Sequence, residues 1–131
     1  MRRAAFALAA GLFASGALAQ APPCVPERGA QRAGAGRYTV YFRTMPPPAV
    51  ARHFAVLFSV CGPATPDSVT VDARMPSHGH GMNYRPTVTA LGNGRYRAEG
   101  LMFHMPGEWE LSFVVQQADA SERITYTVVL R

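Results

Sequence analysis

The sequence predicts an all-β fold, an immunoglobulin-like antiparallel β-sandwich of about seven strands, and three observations predict it. Apolar and polar residues alternate at period two over seven stretches, turn-forming residues separate those stretches, and no stretch carries the period of an amphipathic helix. The first stretch places Tyr38, Val40 and Phe42 on one face and stops at Met45-Pro46-Pro47-Pro48. Phe54, Val56, Phe58 and Val60 form the second, closed by Cys61-Gly62-Pro63. Val69, Val71, Ala73 and Met75 form the third. Pro86 to Leu91 and Gly94 to Glu99 follow, joined by the hairpin signal Gly92-Asn93-Gly94, with Tyr96 and Ala98 opposite Arg95, Arg97 and Glu99. Trp109, Leu111, Phe113 and Val115 make the sixth after Pro106-Gly107, and Ile124, Tyr126, Val128 and Leu130 make the seventh.

A chain of 131 residues holds one such domain. Arg2 and Arg3 precede the small and apolar stretch Ala4 to Ala19, which ends in Ala17-Leu18-Ala19. Residues 1–19 therefore read as a signal peptide, too short and too rich in small residues for a membrane anchor. Residues 20–36, rich in Pro, Gly, Ala and Arg without a period, read as a flexible N-terminal arm, and residues 37–131 as the domain. Every one of the 13 basic residues is arginine, which excludes mechanisms built on a catalytic lysine. The arginines are scattered singly, so the basic stripe that nucleic-acid binding requires is missing. No segment of the mature chain is long and apolar enough for a membrane span.

In a sandwich of successive antiparallel strands, alternate connections share an end. Cys24, before the first strand, and Cys61, after the second, fall at one end. A disulfide between them suits an oxidising compartment, the alternatives being a thiolate metal ligand or free thiols. The opposite end gathers the connection Met75-Pro76-Ser77-His78-Gly79-His80-Gly81-Met82 and the connection Phe103-His104-Met105-Pro106-Gly107. These two segments and their flanks hold three of the four histidines, together with Met75, Met82, Met102 and Met105, and neither connection contains Asp, Glu or Cys. Thioether sulfur favours Cu(I), imidazole suits either copper oxidation state, and a mixed set without carboxylates points to copper. Met75, His78, His80, Met82, His104 and Met105 are the candidate ligands, with Met45 at the same end as a further sulfur. Against this stands a packing role for Met75 and Met105, which continue apolar strand faces. A zinc site of His78, His80 and His104 would leave the methionines unexplained. His53, with no Met or His beside it in sequence, reads as a surface residue, and Trp109 as the core anchor beneath the cluster.

No serine stands in a nucleophile-elbow context, and Asp72, Glu99, Glu108 and Glu110 fall on outward strand positions, so enzymatic turnover is not expected. The stretch Val69 to Val115, with Met75-Pro76, Gly79-His80-Gly81, Gly94-Arg95-Tyr96 and Met105-Pro106-Gly107-Glu108-Trp109-Glu110-Leu111, resembles the YtkA-like family, related to the FixH proteins. The resemblance implies a small exported or membrane-tethered immunoglobulin-like sandwich linked to copper handling or to respiratory oxidase assembly. It carries Met75, His80 and Met105 onto recurring polar and sulfur positions; where relatives often show Met-Gly-His, this chain has His78-Gly79-His80, which widens the set toward Cu(II). The expected protein is a periplasmic copper chaperone or buffer, Cu(I) favoured, that exchanges the ion with a donor or acceptor protein. The alternative is a metal-free interaction module.

Overall fold

The computed structural model describes Gly16, residues 24–34 and residues 36–131. The expected signal peptide, Gly16 apart, and residues 20–23 of the arm lie outside the described residues. Nine strands form among the described residues: β1 (Gln31–Ala33), β2 (Thr39–Met45), β3 (His53–Cys61), β4 (Ser68–Met75), β5 (His80–Gly81), β6 (Thr87–Gly92), β7 (Arg95–Met102), β8 (Gly107–Gln117) and β9 (Ala120–Leu130). They pair into two antiparallel sheets, one ordered β1-β2-β3-β7-β6 and the other β5-β4-β8-β9. The all-β sandwich read from the alternation is the fold observed. No helix among the described residues is long and apolar enough to cross a membrane.

The period-two pattern does the sorting of side chains. In β4, Val69, Val71, Ala73 and Met75 are buried while their four neighbours face solvent. Val40 and Phe42 of β2, Phe54, Val56 and Phe58 of β3, and Leu111, Phe113 and Val115 of β8 meet them in one core with Trp109. Phe42, Phe58 and Phe113 interlock there, with ring centroids 5.4 Å apart for Phe42 and Phe113 and 5.1 Å for Phe58 and Phe113.

Two strands exceed the seven expected. Gln31–Ala33 of the supposed arm pairs with β2 through Gln31 opposite Phe42 and Ala33 opposite Val40, and Ala33 is buried. The domain thus starts earlier than residue 37, because an edge strand needs only one apolar residue directed inward and three residues leave no alternation to read. The other addition, β5, is a two-residue hairpin return against β4. The strand after the Gly92–Gly94 turn also runs further than Glu99, reaching Met102. A bulge opposite Phe54 and Val56, with Gly100 at φ +86°, shifts the alternation so that Leu101 points inward.

The ends close as alternate connections demand. At one end the sulfurs of Cys24 and Cys61 are bonded, with Cα atoms 5.4 Å apart, the Val60 N–H donates to the Gly94 carbonyl, and the Asp67 N–H donates to the Gln116 carbonyl. At the other, the Ala51 N–H donates to the Phe103 carbonyl at 2.8 Å, drawing the β2–β3 connection to the β7–β8 connection.

Candidate metal centre

The β4–β5 hairpin delivers the first two imidazoles. Met75 faces His80 in register, and the turn between them is tied by the His78 and Gly79 N–H groups, which both donate to the Met75 carbonyl. Gly79 takes φ +67°, a conformation that favours glycine and lets the chain reverse in so few residues. Register puts His80 on the face of β4 that carries Met75, toward the core. His104 comes from the β7–β8 connection, held by the Ala51 bond to the preceding residue.

The rings of His80 and His104 stack, centroids 5.1 Å apart and planes inclined by 29°, and His78 stands 5.8 Å from His80. Beneath them lies the chain's single tryptophan, fully buried. Its ring is edge-on to His104 at 5.4 Å and to His80 at 6.0 Å, and parallel to Phe103 at 4.6 Å. Trp109 Nε1–H donates to the Met105 carbonyl at 3.0 Å, fixing the turn that carries His104. Trp109 is thus the floor of the cluster, as its place in the sequence suggests.

The nitrogens are not equivalent. His80 Nδ1 lies 3.1 Å from the Gly81 carbonyl, and since a carbonyl only accepts, Nδ1 carries the proton and Nε2 holds the free lone pair. Metal-binding histidines commonly show this pairing of one nitrogen with a backbone carbonyl. His104 Nδ1 is buried and has no protein partner, a condition shared among the described residues only by Ser59 Oγ and Arg43 Nε. Arg43 Nε at least lies 4.0 Å from a Glu27 carboxylate oxygen. A buried ring nitrogen without a partner costs about 1–3 kcal/mol unless something else meets it.

The methionines divide. Met82 and Met105 are half-buried and pack on the edge of the core. Met75 is 1% exposed, and a Cβ added at Gly107 would come within 2.8 Å of its methyl carbon, so it lies under the Gly107 backbone as core packing. Among the described residues no three side chains of His, Cys, Asp or Glu stand where they could hold a metal together. The three imidazoles are therefore not gathered into such a group. The nearby carboxylates are engaged or outward: Arg74 Nε meets Glu110 at 3.1 Å, Arg97 Nε meets Glu99 at 2.9 Å, and Glu108 is exposed. The cysteines are bonded to one another at the opposite end. Close to that end, Tyr96 stacks on Phe58, and burial, with Tyr38 nearby, raises its hydroxyl above the ordinary tyrosine range.

His53 is exposed at the start of β3, as expected of a surface residue, where it faces Met102 across the β3–β7 ladder and Tyr84 stands edge-on to it at 5.1 Å. Local sequence holds no sign of that pairing, which depends on the Gly100 bulge.

Fold and site together define a small β-sandwich bearing a cluster of three imidazoles over a buried tryptophan at the end opposite its cystine. The YtkA-like family matches residues 32–114, more than half of the chain, and the chain belongs to that family. No curated protein and no solved structure matches it.

Proposed function

We propose that this is an exported copper-binding protein, a chaperone or buffer of the periplasm that takes Cu(I) at the imidazole end and passes it on without turnover. His80 Nε2 and His104 Nδ1 supply nitrogen, Met82 and Met105 supply sulfur, Met75 backs the site from the core, and exposed His78 is the ligand that exchanges with a donor or acceptor protein. The observation that carries this reading is the unpartnered, buried Nδ1 of His104 beside a ring whose own tautomer leaves Nε2 free. The donor set is neutral and soft, which suits Cu(I) better than Zn(II), and His78 as a third imidazole accommodates Cu(II). The Cys24–Cys61 bond supports an oxidising compartment.

The test is competition for Cu(I) against a chromogenic chelator, followed in parallel by emission from Trp109, the only tryptophan. The purified protein should withdraw copper from the chelator and lose Trp109 emission as it does so. His80→Ala combined with His104→Ala should abolish the Trp109 response and lower the amount of copper withdrawn. Failure of the unaltered protein to compete would defeat the proposal and leave a metal-free interaction module, with half-buried Met82 and Met105 as an adaptable contact surface.

A further inference from the structure

We infer a second soft-metal site, separate from the imidazole cluster, made by His53, Met102 and Met45 on the outer face of the five-stranded sheet. It takes a monovalent soft cation, and it shares no ligand with the site at Trp109.

Pairing sets the geometry. Phe54 and Leu101 oppose each other and are 3% and 0% exposed, so both point into the core. Their neighbours His53 and Met102, also directly opposed, therefore project from the outer face. Side chains so paired have Cβ atoms about 4.5–5.5 Å apart. On the other flank of β3, Val40 and Phe42 point inward, which turns Met45 outward opposite Ala55. Ala55 is two residues from His53 on that same face, making Met45 its diagonal neighbour, within reach of a long thioether. Ala55 leaves room between them, yet it is only 8% exposed, so surrounding side chains close over it. Tyr84 stands edge-on to the His53 ring with planes inclined by 67° and limits its rotation.

The chemistry follows from the donors. One imidazole and two thioethers form a neutral, soft, three-donor set with no carboxylate among its members, a combination that favours Cu(I) or Ag(I) over Zn(II), Ca(II) or Mg(II). Met45 and Met102 are partly exposed and His53 is exposed, so an ion can enter from solvent without the sandwich opening. Binding is simple coordination with no change in oxidation state.

Silver(I) is the probe, being soft, monovalent and inert to redox change under the assay. Titration of the purified protein should shift the ε-methyl resonances of Met45 and Met102 and the ring resonances of His53. His53→Ala should remove one equivalent of bound silver while leaving the Met82 and Met105 methyl shifts in place. His80→Ala with His104→Ala should do the converse, so failure of the Trp109 site and failure of this one are told apart. Met102→Leu, which keeps the bulk, should act as His53→Ala does. Unmoved Met45 and Met102 methyls through saturation, or silver stoichiometry insensitive to His53→Ala, overturn the inference.

Discussion

The two ends of the sandwich are closed by different chemistry. At the cystine end the polar groups, Ser59 Oγ apart, find protein partners: Tyr38 Oη–H donates to the Ala64 carbonyl at 3.1 Å, the Ala118 N–H donates to Asp67 at 2.7 Å, and Val60, Gly94, Asp67 and Gln116 bond through their backbones. A covalent bond crosses the same region and pulls residues 24–33 onto the sheet, where Glu27 forms ion pairs with Arg95 and Arg43. The imidazole end is closed by ring stacking instead, and a buried nitrogen there is left without a partner. One end uses most of its polar groups to hold the fold; under the proposed function the other keeps ring nitrogens for an incoming ion. Buried polar groups in native proteins are nearly always satisfied, and the copper ion of the proposed function would satisfy His104 Nδ1.

If this division is right, damage at the two ends should separate stability from binding, with one exception that ranks first in size. Trp109→Ala should cost about 3–5 kcal/mol of folding stability, because it empties the largest buried side chain from the core, and it should abolish copper binding at His80 and His104 by removing the floor under them. Chemical denaturation and chelator competition on the same sample would show both losses. A stable variant that still binds would mean that Trp109 is not what positions the imidazoles.

Next in size is the cystine. Replacing both partners, Cys24→Ser with Cys61→Ser, should cost about 2–4 kcal/mol through the freed unfolded chain, while affinity for Cu(I) at the far end stays within a factor of two. Equilibrium unfolding with and without reductant would measure the first, and a copper titration the second. Loss of copper affinity in the reduced protein would show that the ends are coupled through the sheets.

The contrast also explains what was legible in the sequence. Alternation alone gives the large strands, because Val69, Val71, Ala73 and Met75 can be buried together only if every second residue turns inward. The shared ends follow from counting connections, which brings His80 to His104 and Cys24 to Cys61 without any knowledge of contacts. Register is another matter. β1 and β5 are too short to carry a pattern, and the bulge at Gly100 displaces the phase of β7 by one residue, which decides that Leu101 is core and Met102 is surface. His53 and Met102 meet for that reason alone. The fate of Met75 was equally hidden, since its place on an apolar face and its place in a Met-rich segment support opposite roles until its burial is seen.

The smallest expected effect is the sharpest, because its sign is unusual. His104→Phe exchanges a half-buried imidazole for a ring of similar shape that has no unpaired nitrogen and can keep the edge-on contact with Trp109. Removing an orphaned polar atom relieves its desolvation, so the metal-free variant should be as stable as the parent or more stable by up to about 1 kcal/mol. Copper affinity should fall at least tenfold. Opposite movement of the two quantities is the signature of a residue kept for its ligand at the expense of the fold. Were His104 only a packing or hydrogen-bonding element, His104→Phe would lower stability and leave metal uptake where it was, and thermal unfolding alongside a copper titration distinguishes the two outcomes directly.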